Sequence, residues 1–372
     1  MLRLNKLHIV NFRNIAHAEL SFDTNFAAFC GKNGAGKTNS LDAIYYLCVG
    51  KSFFNGSDQF IINHNESFFN LTAVFDRNDK AHEVFCASVK GARKKIRVND
   101  REYEKLSDHV GEFPLVMITP YDNMLISGGS EERRRFMDFL IAQLDRDYME
   151  ALMKYNKVLS QRNALLVQMN ERHQRQNKLL EVYDEQLCSY AAVIYERRSS
   201  FLEPFKDVFQ TFYNKISSGD EEVGISYQSQ LNSSSMQELL SASFVKDMAL
   251  QRTSSGTHKD DLQIEINGYS TKKFASLGQQ KTMLLSLKLA QFGLISDTKG
   301  FKPLLLLDDV FDRLDRERII NLIEIIGSNE FGQIIISDTN VVRVRDVFKS
   351  LKQSLQIFMV NKGQILNGDA GK

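Results

Sequence analysis

The period of the hydrophobic pattern changes twice along the chain, and those changes divide it. From Leu2 to about residue 120, apolar positions recur mostly at every second residue: Leu2, Leu4, Leu7 and Ile9, then Leu20 and Phe22, then runs at 68–75, 84–89 and 96–98. Alternation of this kind predicts half-buried strands. Phe26-Ala27-Ala28-Phe29-Cys30 is continuously apolar and predicts a buried strand, as does the short run closed by Pro114 and Pro120.

The period lengthens at Gly128-Gly129-Ser130-Glu131-Glu132, where a serine followed by acids suits a helix start. From there to about Lys215 the pattern is helical, with Pro204 as its single proline. Tyr148, Leu152, Tyr155, Leu159, Arg162, Leu166 and Met169 step by four and three. Beyond a polar tip at 170–177, Leu180, Tyr183, Leu187, Tyr190, Ile194, Arg197 and Phe201 do the same. Two such seams predict an antiparallel helical hairpin, with Pro204 kinking or restarting the second helix. A serine-rich stretch, 232–235, precedes a short helix at 236–250. After Gly256 alternation returns in Leu262–Ile266, with Asn267-Gly268 as a hairpin turn. The remainder alternates helix and strand, as a parallel sheet requires. The expected organisation is an α/β domain, 1–125 and 253–372, interrupted by an inserted helical domain at 126–252.

With 372 residues, 43% of them hydrophobic, the chain can bury a sizeable core. A net charge of +1 excludes a chain-wide field for polyanions, so any nucleic-acid affinity comes from local patches. Three basic clusters are candidates: Lys90, Arg93, Lys94, Lys95, Arg97 and Arg101; Arg133, Arg134 and Arg135; and Arg172, Arg175 and Lys178 at the hairpin tip. Consecutive arginines cannot share one helix face, so at most two of Arg133–Arg135 point one way. The four cysteines have no C-x-x-C spacing and no histidine at ligand spacing, which fits a reduced, cytoplasmic compartment. The first residues lack the apolar core of a signal peptide, and no stretch approaches 18 uninterrupted apolar residues.

Chemistry concentrates in three places. Gly31-Lys32-Asn33-Gly34-Ala35-Gly36-Lys37-Thr38, followed by Asn39, fits G-x-x-x-x-G-K-[ST] between a predicted strand and a predicted helix. Its glycines let backbone N–H groups converge on the phosphates of a nucleotide such as ATP at a positive helix end. Lys37 is placed to reach the outer phosphates, and the Thr38 hydroxyl to hold Mg²⁺. Far downstream, Pro303-Leu304-Leu305-Leu306-Leu307-Asp308-Asp309 has the form of a Walker B strand, with Asp308 toward Mg²⁺ and Asp309 at the position of a catalytic base. Between them, the stretch 274–282 immediately precedes a helix predicted at 283–292, and its Ser276, Gly278 and Gln279 form a candidate second anion site at that helix start.

This ordered set resembles the ABC-type ATPase heads of the SMC class, and within it the RecF family of bacterial repair proteins. The resemblance includes Asn11-Phe12-Arg13-Asn14, Lys51-Ser52-Phe53, Thr119-Pro120, Gly129-Ser130 with Arg133-Arg134-Arg135-Phe136-Met137-Asp138, and Gly256-Thr257-His258-Lys259-Asp260-Asp261-Leu262. It implies an ABC-ATPase head and a DNA-binding ATPase of recombinational repair and replication, linked to the SOS response. Such proteins dimerise with ATP bound, so Ser276 and Gly278 would meet the γ-phosphate held by a second copy. The implied partners are single-stranded or gapped DNA and RecR-like and RecO-like mediators, with which the complex helps load recombinase. Leu277 stands where the family usually has Gln, Lys281 where Arg is common, Thr257 where Pro is usual, and Asp312-Arg313-Leu314-Asp315 where Ser-Glu-Leu-Asp is common. Ser337 and Thr339 both stand where a γ-phosphate sensor belongs.

Two other readings share the phosphate loop. The nucleotide-binding subunit of an ABC transporter would not need the helical insertion and usually carries Leu-Ser-Gly-Gly-Gln, absent here. A small-molecule phosphotransferase would act without a second subunit. Asp309, with Lys37 a candidate catalytic residue, is one methylene shorter than the Glu usual in transporters. A base must come within about 3 Å of its water, so slow hydrolysis is expected.

Overall fold

A computed structural model describes residues 1–54, 56–174, 176–217, 221–311, 316–328, 330–350 and 353–367. The chain divides into two compact units, Met1–Asp122 with Thr211–Gly219 and Lys281–Lys372, and Asn123–Gln210 with Asp220–Gln280. The second unit therefore extends past the expected 126–252, taking in the strand pair after Gly256.

The first unit holds two six-stranded sheets. One is antiparallel, in the order β2 (Ile15–Ser21), β1 (Leu2–Phe12), β4 (Phe68–Arg77), β5 (Lys80–Val89), β6 (Lys95–Val98) and β7 (Arg101–Glu102). Its strands alternate buried and exposed residues, so one face packs and the other meets water. The other sheet runs β15 (Gln364–Asn367), β14 (Leu355–Asn361), β3 (Phe26–Cys30), β13 (Ile334–Asp338), β12 (Leu304–Asp308) and β8 (Leu115–Ile118). All its pairings are parallel except that of the edge strand β15. Leu304–Leu307 are fully buried in β12, as both-face coverage of a parallel sheet demands. Each such side chain contributes about 1.5–3 kcal/mol of burial. The buried Gln333 carboxamide ties the sheets together, accepting from Leu4 N at 2.6 Å and donating to Leu4 O at 2.9 Å. Helices α1 (Lys37–Val49), α9 (Arg316–Gly327) and α10 (Val341–Ser350) and most of α8 (Leu277–Lys299) also belong to this unit.

The second unit comprises α2 (Met124–Ser127), α3 (Ser130–Leu144), α4 (Arg146–Glu171), most of α5 (Lys178–Ser217), α6 (Met236–Leu250), α7 (Thr271–Phe274) and a small sheet, β11 (Tyr269–Ser270), β10 (Asp261–Ile266) and β9 (Val223–Gln228). The hairpin of α4 and α5 forms, and Tyr148, Tyr155, Arg162, Leu166, Met169, Leu180, Leu187, Ile194 and Phe201 of the expected seams are buried, while the alternate positions shift by one residue. The buried stripe of α4 runs Tyr148, Ala151, Tyr155, Val158, Arg162, Leu165, Leu166 and Met169, with Leu152 and Leu159 only half-buried. Toward the hairpin tip a third helix joins the pair, Phe244 and Met248 of α6 packing on Leu165, Leu166, Met169 and Leu180. The helix α5 runs through Pro204 without interruption. Pro204 is exposed, so the carbonyl it leaves unbonded lies on the solvent side.

Arg198, not the expected Arg197, points inward on α5. It donates to Asp138 Oδ1 (2.8 Å), Asp260 Oδ2 (2.8 Å) and Thr257 O (2.8 Å), and Tyr227 OH donates to the same Asp260 carboxylate. Arg162 is likewise fully buried, bonded to Asp184 (2.6 Å), Asp247 (2.8 Å) and Thr253 Oγ1 (2.9 Å). Removing one partner of such a buried pair costs about 3–5 kcal/mol, because it strands the other charge. The segment Gly256–Asp261 is thus a structural knot. Gly256 sits at φ +124°, and a Cβ there would lie 2.6 Å from Met236 Cε.

His258 belongs to the same knot. Its Nδ1 lies 2.8 Å from Tyr155 OH and its Nε2 3.1 Å from Thr253 O; in the neutral ring Nε2–H donates to the carbonyl and Nδ1 accepts from the hydroxyl. Burial pushes its pKa down to about 4. The folded state therefore holds fewer protons than the unfolded one between that value and the ordinary 6.5. Stability is lost as pH falls through this window, and above it the term is complete, worth roughly 3 kcal/mol. Thermal denaturation from pH 7 to 4 should show a steeper fall for the native chain than for His258→Gln; parallel curves would contradict this.

Candidate nucleotide-binding site

Register places the site. In the parallel sheet Asp308 of β12 lies opposite Ser337 of β13, and Ser337 and Asp338 lie opposite Phe29 and Cys30 of β3. Three strands therefore end level, and the loop 31–36, the pair Ser337-Asp338 and the pair Asp308-Asp309 converge at their carboxyl ends. That edge is where open α/β sheets bind ligands.

The loop is held by backbone geometry. A Cβ on Gly31 would lie 2.1 Å from Val360 O, so only glycine passes there. Gly34 and Gly36 have φ of +76° and +121°, and a Cβ on Gly34 would meet nothing within 4 Å. Gly36 caps α1 with no side-chain hydrogen bond, and no acid stands in the first turn. The first N–H groups of α1 thus point outward at the positive end of the helix, an arrangement that takes phosphate. Lys37 is buried, its Nζ donating to Lys32 O at 3.2 Å across the loop. Lys32, Asn33 and Gly34 are exposed, Ala35 and Gly36 buried.

The metal-ligand candidates meet directly. Thr38 Oγ1 donates to Asp308, 2.9 and 3.1 Å from its two carboxylate oxygens, and Ser337 Oγ donates to Asp308 Oδ1 at 2.5 Å. Burial pushes the Asp308 carboxyl up, opposed by these two hydroxyls and by Lys37. The donor set is entirely oxygen, which fits Mg²⁺ with Thr38 and Asp308 as its protein partners. Asp309 has φ +46°, and its N–H donates to Ser337 O (3.2 Å) and Ser337 Oγ (3.1 Å). Ser337 is therefore fully buried and tied to Asp308, whereas Thr339 is half-exposed. Asp338 holds Arg343 at 2.8 Å.

Several residues that sequence reasoning gave no role brace this loop. Asn14, in the turn between β1 and β2, donates to Ala35 O (3.2 Å) and accepts from Asn39 Nδ2 (2.7 Å). Gly363, in the turn between β14 and β15, donates its N–H to Ala35 O at 2.8 Å. It sits at φ +80°, and a Cβ there would lie 1.9 Å from Asn14 O. Arg13, at φ +53°, donates to the fully buried Asp42 of α1 at 2.7 Å and to Ser52 Oγ at 2.9 Å. Asn11-Phe12-Arg13-Asn14 stands in the sequence only as part of the family resemblance, and nothing in its spacing shows that it reaches the phosphate loop.

In the second unit, Ser276 and Gln279 form a reciprocal cap on α8. Gln279 N–H donates to Ser276 Oγ at 3.3 Å, and Gln279 Oε1 accepts from Ser276 N–H at 2.7 Å. The Gln279 amide also donates to Glu221 at 2.6 Å. Leu277 is 76% exposed and Phe274 66%, an unusual display of large apolar side chains beside Gly278. The segment 312–315 lies outside the described residues.

The basic candidates separate. Arg133 is bound to Asp261 (2.7 and 2.9 Å) and Arg134 donates to Asp260 O at 2.6 Å, so both serve the structural knot. Arg135 is exposed, beside Glu131 and Glu132. Lys94 is largely buried, 3.0 Å from Asp58 and donating to Gly50 O at 2.7 Å, while Lys95 is exposed. Arg97 lies over the Phe85 ring. Arg172 and Lys178 are exposed, and Arg175 lies outside the described residues.

Comparison with known proteins agrees with this geometry. The family model described as RecF/RecN/SMC N terminal domain matches residues 3–365. The DNA replication and repair protein RecF of Flavobacterium johnsoniae is 44% identical, covering 96% of this chain and 99% of that protein. RecF of Parabacteroides distasonis is 41% identical, covering 97% of this chain and 98% of its own. A solved structure of the recombination mediator protein RecF with ATP, in the RecFOR pathway, superimposes with a TM-score of 0.89 at 29% identity, covering 99% of this chain and 98% of that one. The Smc head domain of Pyrococcus furiosus aligns with a TM-score of 0.58 at 17% identity, a likeness of fold.

Gly363→Ala touches no residue of the phosphate loop by sequence, yet it forces the Asn14 turn away from Ala35. Titration with a fluorescent ATP analogue should show affinity weakened at least about fivefold, from strain of 1–3 kcal/mol. Unchanged affinity would show that the bracket does not position the loop.

Proposed function

The chain belongs to the RecF family, and on that premise we propose that it is a DNA-bound switch of replication and repair that ATP assembles into a dimer. The observation that carries the reading is the division of the nucleotide machinery. The phosphate loop, Thr38, Asp308 and Asp309 form one cluster, while Ser276 and Gly278 start a helix flanked by exposed Leu277 and Phe274. In this reading a second copy brings its Ser276 and Gly278 over the nucleotide, and the apolar pair is covered. The likeness to an ATP-bound RecF structure supports ATP as the ligand.

When bound, Mg²⁺ neutralises phosphate charge and is held by Thr38 and Asp308. Lys37 turns from Lys32 O to the outer phosphates, and Asp309 positions and deprotonates the attacking water. Its short side chain keeps that step slow, so hydrolysis times the dissociation of the dimer. A ligand that favours the dimer shifts assembly by mass action. Phosphate contacts with single-stranded or gapped DNA fall to exposed cations, Lys95, Arg135, Arg172 and Lys178, and RecR-like and RecO-like mediators join there. The RecFOR context of the solved relative supports those partners. No described helix is long and apolar enough to cross a membrane.

The test is mass measurement of the purified chain, with and without ATP and gapped DNA. ATP should double the mass, and DNA binding should fall steeply between about 50 and 200 mM salt. Lys37→Ala should lose nucleotide binding altogether; Ser276→Ala should keep monomer binding and lose the dimer. A chain that stays monomeric and blind to DNA under every condition would overturn the proposal.

A further inference from the structure

Away from the nucleotide site, the water-facing side of the β1–β2 pair carries a cluster that neither the fold nor the proposed activity uses. Register puts His8 directly opposite Glu19, and His17 opposite Val10, one diagonal step away. Alternation sends all three side chains to the same face, since Leu7, Ile9, Ala18 and Leu20 take the buried one. His8 Nε2 and His17 Nε2 are 3.1 Å apart, and the Glu19 carboxylate lies 3.8 Å from the first and 3.6 Å from the second.

Those three distances define a triangle, and a point equidistant from its corners lies about 2.0 Å from each. That matches metal–imidazole and metal–carboxylate bonds of about 2.0–2.2 Å. A hydrogen bond between the two imidazoles holds them together without an ion, and with the side chains 42%, 61% and 73% exposed a cation can enter from water and replace the shared proton. Two imidazoles and one carboxylate suit a borderline divalent ion of the zinc, nickel and copper group, not Mg²⁺ or Ca²⁺, which take oxygen. Three protein ligands leave a fourth position for water.

We infer that His8, His17 and Glu19 form a surface site for a zinc-class divalent cation that clips β1 to β2. The clip lies on the same hairpin as Arg13 and Asn14, whose side chains brace α1 and the phosphate loop. Bound ion therefore restrains the hairpin from which that bracket projects.

The test uses the full chain without nucleotide, so that the phosphate loop recruits no metal, titrated with ZnCl₂ by calorimetry in excess MgCl₂. One Zn²⁺ should bind, and Zn²⁺ but not Mg²⁺ should raise the melting temperature. His8→Ala and His17→Ala should each weaken binding by more than about tenfold, since even outer-shell partners of a metal are worth about 10–100-fold. Glu19→Gln should weaken it less and keep the fold, as all three positions face water. Two results would overturn the site: no Zn²⁺ bound by the native chain, or Zn²⁺ bound equally by His17→Ala, which would place the ion elsewhere.

Discussion

The contact on which the molecule depends is the one Asp308 makes with Thr38 and Ser337. One carboxylate receives hydroxyls from the helix after the phosphate loop and from the neighbouring strand. Those three residues lie far apart in sequence and meet because β3, β13 and β12 run parallel in one register. Shift any strand by one residue and the side chains turn to the opposite face. The fully buried leucines and isoleucines of β12 and β13 fix that register, so the apolar core sets the geometry of the polar edge.

The loop itself has little intrinsic order, since it is built on glycine. Its conformation is imposed from both sides, by Asn14 from one sheet and by Gly363 and Val360 from the other. Arg13 and Asp42 then lock the same hairpin to α1. A phosphate arriving there meets N–H groups already arranged, which is why such a site binds without first ordering its backbone. The second unit solves a different problem. Its two long helices bury arginines, and the acids of Asp138, Asp184, Asp247 and Asp260 hold them. Segments that look functional in sequence, Arg133-Arg134 and Gly256–Asp261, are thereby accounted for as structure.

The glycine loop, the buried apolar strand ending in Asp308 and the change of hydrophobic period near residue 128 were legible because each rests on local chemistry, but the far boundary of the second unit was not: it runs to Gln280 rather than 252, because Asp261–Ile266 pairs with Val223–Gln228. In the seam of α4 and α5 one set of positions is as expected, Tyr148, Tyr155, Arg162, Leu187, Ile194 and Phe201 among them, and the alternating set is offset by one residue. Spacing shows a two-helix stripe, whereas Ala151, Val158 and Leu165 are buried and Leu152 and Leu159 stay at the margin, with α6 packing on Leu165 at the tip end. On α5 it is Arg198 that turns inward, drawn by Asp138 and Asp260, while Arg197 pairs with Asp145 nearer the surface. Lys94 read as a free surface cation, yet Asp58 and the Gly50 carbonyl claim it through contacts no linear pattern encodes. Gly363 carried no signal at all, since a glycine in a tight turn looks the same whether or not a loop rests on it.

The central claim is that a nucleotide site is completed only by a second copy. It is tested most directly by mixing two defective chains, Lys37→Ala and Ser276→Ala, with ATP and following association and hydrolysis. Neither variant alone can build an intact site. A mixed dimer contains one intact loop, from Ser276→Ala, facing one intact signature, from Lys37→Ala. The mixture should regain ATP-dependent dimers and part of the native hydrolysis rate. A mixture as inactive as its components would contradict it.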